Sequence, residues 1–182
     1  FKYFGVADEI DFRNIPWRNG KFDPQSIENA VVTSSRAKNA LDQWSQRAGR
    51  RTLGFCVSVK HANYMAAYFA EAGLRTAAVH AGKQSAPRAD SLQDLAEGNL
   101  DIVFAVDMFN EGVDIPEIDT VMMLRPTESK VLWLQQLGRG LRKATGKPHV
   151  TVIDYIGNHR SFLKPFIALF PEVRDKTGEI SK

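Results

Sequence analysis

From Thr52 onward the chain alternates short apolar runs with amphipathic stretches of about a dozen residues, and few folds accept that rhythm. The runs Thr52–Val57, Arg75–His80, Asp101–Val106, Thr120–Leu124 and Val150–Ile156 read as strands. Between them, Ala62, Met65, Ala66 and Phe69 mark a helix that stops at Gly73. Ala89, Leu92, Leu95 and Ala96 mark another that ends at Gly98. Val131–Leu141 and Arg160–Phe170 read as two more helices. Strands that alternate with helices predict an α/β fold, a mainly parallel sheet covered by helices on both faces. In such a sheet the loops at the strand C-termini are where ligands bind.

The first fifty residues have a different texture. Asp8, Glu9, Asp11 and Arg13, followed by Pro16-Trp17-Arg18-Asn19-Gly20, read as a polar, turn-rich segment. Pro24 to Gln46 reads as one or two helices, with Ala37, Ala40, Leu41 and Trp44 at helical spacing. We therefore expect residues 1–50 to be a linker or helical lead-in that packs on a lobe formed by residues 51–182. The chain opens on Phe1 without a methionine, so a longer parent polypeptide is expected. With 182 residues it is long enough for one good core. The single Cys56 leaves no disulfide framework, which favours a reducing, cytoplasmic setting. No run of about 18 apolar residues occurs, so no membrane partner is expected. A net charge of +3 permits a polyanionic partner without demonstrating one.

Four segments carry candidate chemistry. Ser58-Val59-Lys60-His61 opens a helix, and the amides of a helix start favour an anion such as a phosphate. Lys60 and His61 would add charge and donors there; the plainer alternative is a Ser58 cap with Lys60 and His61 in solvent. Gly82, Lys83 and Arg88 form a second possible phosphate-tracking surface after the strand ending in His80. Val103 to Pro116 is an apolar strand breaking into a polar loop. In that loop Gly112 permits close backbone approach, Asp114 suits ribose hydroxyls, and Glu111 is placed to orient arginines. Gln135-Gln136-Leu137-Gly138-Arg139-Gly140-Leu141-Arg142 places Gln135, Arg139 and Arg142 on one helical face. Two neighbouring guanidinium forks suit a highly charged polyanion better than a single carboxylate.

Taken together, these segments resemble the second RecA-like lobe of superfamily-two helicases, over about Thr52 to His159. Leu53 to Ala62 resembles motif IV, and Val79-His80-Ala81-Gly82 resembles the family's strand ending in His-x-Gly. The stretch from Val103 to Pro116 resembles motif V, and Gln135 to Arg142 resembles motif VI. The wording of the last two is similar to bacterial helicases of the restriction or repair type.

The resemblance implies a RecA-like three-layer domain and a set of roles. Arg139 and Arg142 would be arginine fingers reaching ATP held by another lobe, and Gln135 would sense its γ-phosphate or couple the lobes. Gly112 and Asp114 match the nucleotide side of motif V. Val106 to Asn110, including Asp107, Met108 and Asn110, match its nucleic-acid side. The family often has Thr where this chain has Val106, which removes one hydroxyl from that surface. No G-x-x-x-x-G-K-[ST] and no strand-ending Asp-Glu pair occurs. The implied site is thus half of an ATPase. The phosphate cradle and the Mg²⁺ ligands would lie on an N-terminal lobe of the same polypeptide, and this piece would be inactive alone. Asp154 ends an apolar strand beyond motif VI, so it reads as structural and no metal site is expected. The implied nucleic acid is DNA, with RNA possible. The rival reading is a non-catalytic module of the same fold that only binds polyanions.

Overall fold

A computed structural model describes residues 2–106, 116–126 and 149–156. The helices expected at Val131–Leu141 and Arg160–Phe170 lie outside these residues, as do Asp107 to Asp114 and Gln135 to Arg142. In chain order the elements are β1 (Lys2–Ala7), a 3₁₀ turn (Phe12–Asn14), β2 (Trp17–Arg18), β3 (Lys21–Phe22), α1 (Pro24–Val31) and α2 (Ser34–Arg47). They continue with β4 (Thr52–Phe55), α3 (Val59–Glu71), β5 (Thr76–Val79), α4 (Arg88–Glu97), β6 (Ile102–Ala105), β7 (Thr120–Met123) and β8 (Thr151–Ile156).

Six strands form one sheet in the order β1-β8-β7-β4-β6-β5, and every pairing is parallel. The four residues of each of β4, β6 and β7 are all buried, as expected of strands covered on both sides. Alternate residues serve opposite layers. Leu53, Phe55, Val103, Ala105, Val121 and Met123 pack with Leu92 and Leu95 of α4. Ile102, Phe104, Met122, Leu124 and Ile153 pack with Ala37 and Ala40 of α2 and with Ala62, Met65 and Phe69 of α3. The molecule is therefore a three-layer sandwich with α2 and α3 on one face and α4 on the other. At the centre of β4, a side chain on Gly54 would put its first carbon 2.8 Å from Phe104 Cδ1, so the ring occupies the space a larger residue would need.

The amphipathic signals end where the sequence places them. Gly98 caps α4 in the left-handed conformation (φ 85°), and Gly73 follows α3 at φ 89°. Asn19-Gly20 makes the tight turn between β2 and β3, with φ of 52° and 73°. Strand β1 has no counterpart in the sequence reading. It lies at the sheet edge beside β8, with Tyr3 Oη donating to Asp154 Oδ2 at 2.6 Å. The lead-in also builds a small apolar cluster of its own from Phe12, Ile15, Ile27 and Val31.

Candidate nucleic-acid interface

Every strand of the sheet runs the same way, so the loops after β4, β5 and β6 emerge at one edge. The first of these loops starts α3. Ser58 has extended backbone (φ −151°, ψ 166°) and its Oγ accepts from the His61 amide at 3.1 Å. That is an N-cap, so the hydroxyl is engaged by its own helix. Next to it, Val59 is 38% exposed and Lys60 reaches outward, 3.9 Å from Glu28 Oε1 on α1.

The second loop lies against the first. His80 is buried, its Nδ1 accepting from the Gly82 amide at 3.0 Å and its Nε2 facing Asn63 Oδ1 of α3 at 3.0 Å. A neutral ring with the proton on Nε2 satisfies both contacts. A side chain added at Gly82 would meet His80 Nδ1 at 3.0 Å and Val59 Cγ1 at 3.5 Å, so glycine lets the loop close onto the helix start. Lys83 is exposed and Arg88 opens α4. The two surfaces read separately in the sequence are thus adjoining. Strand β6 lies between β4 and β5, with the Val106 amide bonded to Val79 O at 3.2 Å. The chain therefore enters the Asp107 segment beside both loops.

His61 requires a correction. The ring is fully buried rather than offered to a ligand or to solvent. Nδ1 accepts from the Val57 amide at 3.2 Å, and Nε2 faces Arg36 Nη1 at 3.4 Å. Burial, then the Arg36 charge, pushes its pKa down to about 3. An uncharged ring turned inward supplies no positive charge to a phosphate. The physical reason is helix phase: His61 follows Lys60 by one position, which carries it from the outer face of α3 to the inner one. Cys56, just past the end of β4, is buried as well, and burial pushes its thiol up to about 12.

Sequence reasoning missed Arg36 and Asp8. They form a buried bidentate ion pair, with Arg36 Nη2 2.8 Å and Nε 3.2 Å from Asp8 Oδ2. Arg36 Nη2 also donates to Leu124 O at 2.9 Å, and the guanidinium lies 5.0 Å from the centre of the Tyr155 ring. Nothing in the sequence marks this pair, because the partners lie in different elements and each is an ordinary charged residue of a polar stretch.

A parallel six-stranded sheet sandwiched by helices is the fold of RecA-like helicase C-terminal domains. The chain has a TM-score of 0.64 to the Escherichia coli DEAD-box protein SrmB, at 18% identity, over 92% of this chain and 84% of that one. It has a TM-score of 0.60, at 25% identity, to the fragment named "putative HsdR subunit of a type I restriction enzyme" from Vibrio vulnificus, over 72% of this chain and 28% of that one. The chain belongs to the helicase conserved C-terminal domain family, whose model matches residues 34–144. Among relatives by sequence, it is 32% identical over 160 residues to the Saccharomyces cerevisiae protein named "Putative ATP-dependent helicase IRC3", covering 86% of this chain and 23% of that protein. It is 28% identical over 153 residues to UvrABC system protein B of Leifsonia xyli, covering 80% of this chain and 22% of that protein. The chain thus spans under a quarter of the length of these two relatives. No helix among the described residues is long and apolar enough to cross a membrane.

Proposed function

We propose that this chain is the C-terminal motor lobe of an ATP-dependent helicase or translocase acting on nucleic acid. The observation that carries the reading is the juxtaposition at one sheet edge. The start of α3, the Gly82–Lys83 loop and the exit of β6 adjoin, in a chain of the helicase C-terminal family. In this reading the first-turn amides after Ser58, with Lys60, Gly82, Lys83 and Arg88, track the nucleic-acid backbone, and Asp107, Met108 and Asn110 continue that track. Glu111, Gly112 and Asp114 face the nucleotide, and Gln135 reports its γ-phosphate. Arg139 and Arg142 stabilise the charge that develops on the transferring phosphoryl group. MgATP is the substrate, held mainly by an N-terminal RecA-like lobe of the same polypeptide. DNA is the preferred track, with RNA as the alternative. Residues 1–50 complete the lobe, lending it the edge strand β1 and the covering helix α2, and the setting is cytoplasmic.

The test is nucleic-acid-stimulated ATP turnover of the full-length protein, wild type against Arg139→Ala, with DNA and ATP affinities measured alongside. The isolated chain is the control. Turnover should fall at least about a hundredfold, toward the finger range of roughly 10³–10⁵, with both ligands still bound. Unchanged turnover, or hydrolysis by the isolated chain, would replace this reading with a polyanion-binding module or with a complete site elsewhere.

A further inference from the structure

Four strands adjacent in the sheet, β1, β8, β7 and β4, have their C-terminal ends gathered around one side chain that none of them carries. Arg36 of α2 forks onto Asp8 just past β1, donates to Leu124 O just past β7, lies over Tyr155 near the end of β8, and faces His61 after β4. Both members of the ion pair are almost wholly enclosed, at 3% and 1% side-chain exposure. Tyr155 is itself held, its hydroxyl donating to Asn39 on the same helix as Arg36.

We infer that Arg36 is a positioning residue for the motor lobe, joining the entry to α3 and the chain that leaves β7 into one rigid body. The inference rests on the motor reading above. The chain that leaves β7 at Leu124 runs on toward Gln135, Arg139 and Arg142, and the entry to α3 is the start offered to the nucleic-acid backbone. A shared anchor holds the exit of β7 and the entry to α3 at one separation. Stability alone does not account for such a group, because a buried ion pair is commonly no better than well-packed apolar residues of similar volume. The geometric content is the planar fork, which bonds a carboxylate and a carbonyl while one face lies over a ring. A lysine ammonium has no equivalent arrangement.

The experiment uses the full-length protein with Arg36→Lys, Arg36→Met, and the double variant Arg36→Met with Asp8→Asn. Melting temperature, ATP turnover with and without DNA, KM for ATP, and amide hydrogen exchange over Val57–His61 and at Leu124 are measured for each. The double variant leaves no buried charge without its partner and should recover the melting temperature lost in Arg36→Met. Its DNA-stimulated kcat should stay about ten- to a hundredfold low, the scale of a misplaced reacting group, with KM for ATP unchanged. Exchange over Val57–His61 and at Leu124 should be faster than in wild type. Arg36→Lys, which keeps the charge and loses the fork, should show the same loss of stimulation. Recovery of stimulated turnover together with stability, or full stimulation in Arg36→Lys, would reduce Arg36 to a structural pair and overturn the inference. If the wild type itself shows no DNA-stimulated turnover, the motor reading fails. The exchange data then decide the rigid-body claim: unchanged protection in the double variant overturns it, and lost protection supports it.

Discussion

Arg75–Asp101 and Arg36–Asp8, two of the arginine–aspartate pairs among the described residues, use the same chemistry and do different things. Arg75 and Asp101 meet at the N-terminal edge of the sheet, where Asp101 Oδ2 accepts from the Arg75 amide at 2.9 Å and from its Nε at 3.1 Å. The side chains are 56% and 22% exposed, so water and salt compete for every contact. Its carboxyl is held below the ordinary range chiefly by the Arg75 hydrogen bonds. Arg36 and Asp8 meet at the opposite edge and are enclosed. In the interior neither charge can be exchanged for water, so the pair must be complete or absent. The exposed pair ties the entries of β5 and β6 within reach of water, whereas the enclosed one touches the ends of four strands.

The largest effect expected from this difference is the cost of leaving one buried charge alone. Arg36→Met strands Asp8 and should cost about 3–5 kcal/mol of folding free energy, read from urea unfolding at neutral pH. A loss no larger than that of Arg75→Gln would erase the distinction between the pairs.

Acid sharpens it next. His61 sits against Arg36 with its pKa pushed down to about 3, against 6.5 for a free ring. An unfolded ring takes up a proton below about 6.5 while the folded ring stays neutral. The stability His61 contributes is therefore fully present above that value and is lost as pH falls toward about 3. The urea midpoint of the wild type should drop between about pH 7.5 and pH 5, and His61→Gln should flatten the drop. An equal slope in that variant would show that other groups carry the acid response.

The smallest effect belongs to the exposed pair. Arg75→Gln should change the melting temperature no more than an ordinary surface substitution, and what change there is should vanish in about 1 M salt, where the screening length is roughly 3 Å. A salt-independent loss would mean that this pair too behaves as a buried one.

The readable part of the site and the unreadable part divide along the same line. Ser58 was legible both as a helix start and as a cap, because capping depends on residues three apart in sequence. Gly82 was legible as a loop glycine, but the reason for it, room for His80 and Val59, required the third dimension. His61 was misread although its helix phase was legible: it lies four residues before Met65 and eight before Phe69, on the stripe that packs against the sheet, and its basic side chain was weighed above that spacing. Arg36 was invisible because its partners, Asp8, Leu124 and Tyr155, come from three other parts of the chain. The expected roles of Asp107 to Asp114 and of Gln135, Arg139 and Arg142 rest on sequence resemblance and await the turnover experiment.

By itself the sequence determined the local grammar. Apolar runs of strand length, amphipathic stretches that end at Gly73 and Gly98, and an Asn19-Gly20 turn follow from backbone sterics and from a period of 2 or 3.6, each complete within a few residues. Only the tertiary structure decided that Lys2–Ala7 would be the edge strand beside β8, that the α3 start and the Gly82 loop would adjoin, and that two of the charged side chains would be enclosed. These outcomes depend on burial, and burial is a property of the packed layers. A residue's charge is written in its name, but whether water can reach that charge is settled only when distant segments close around it.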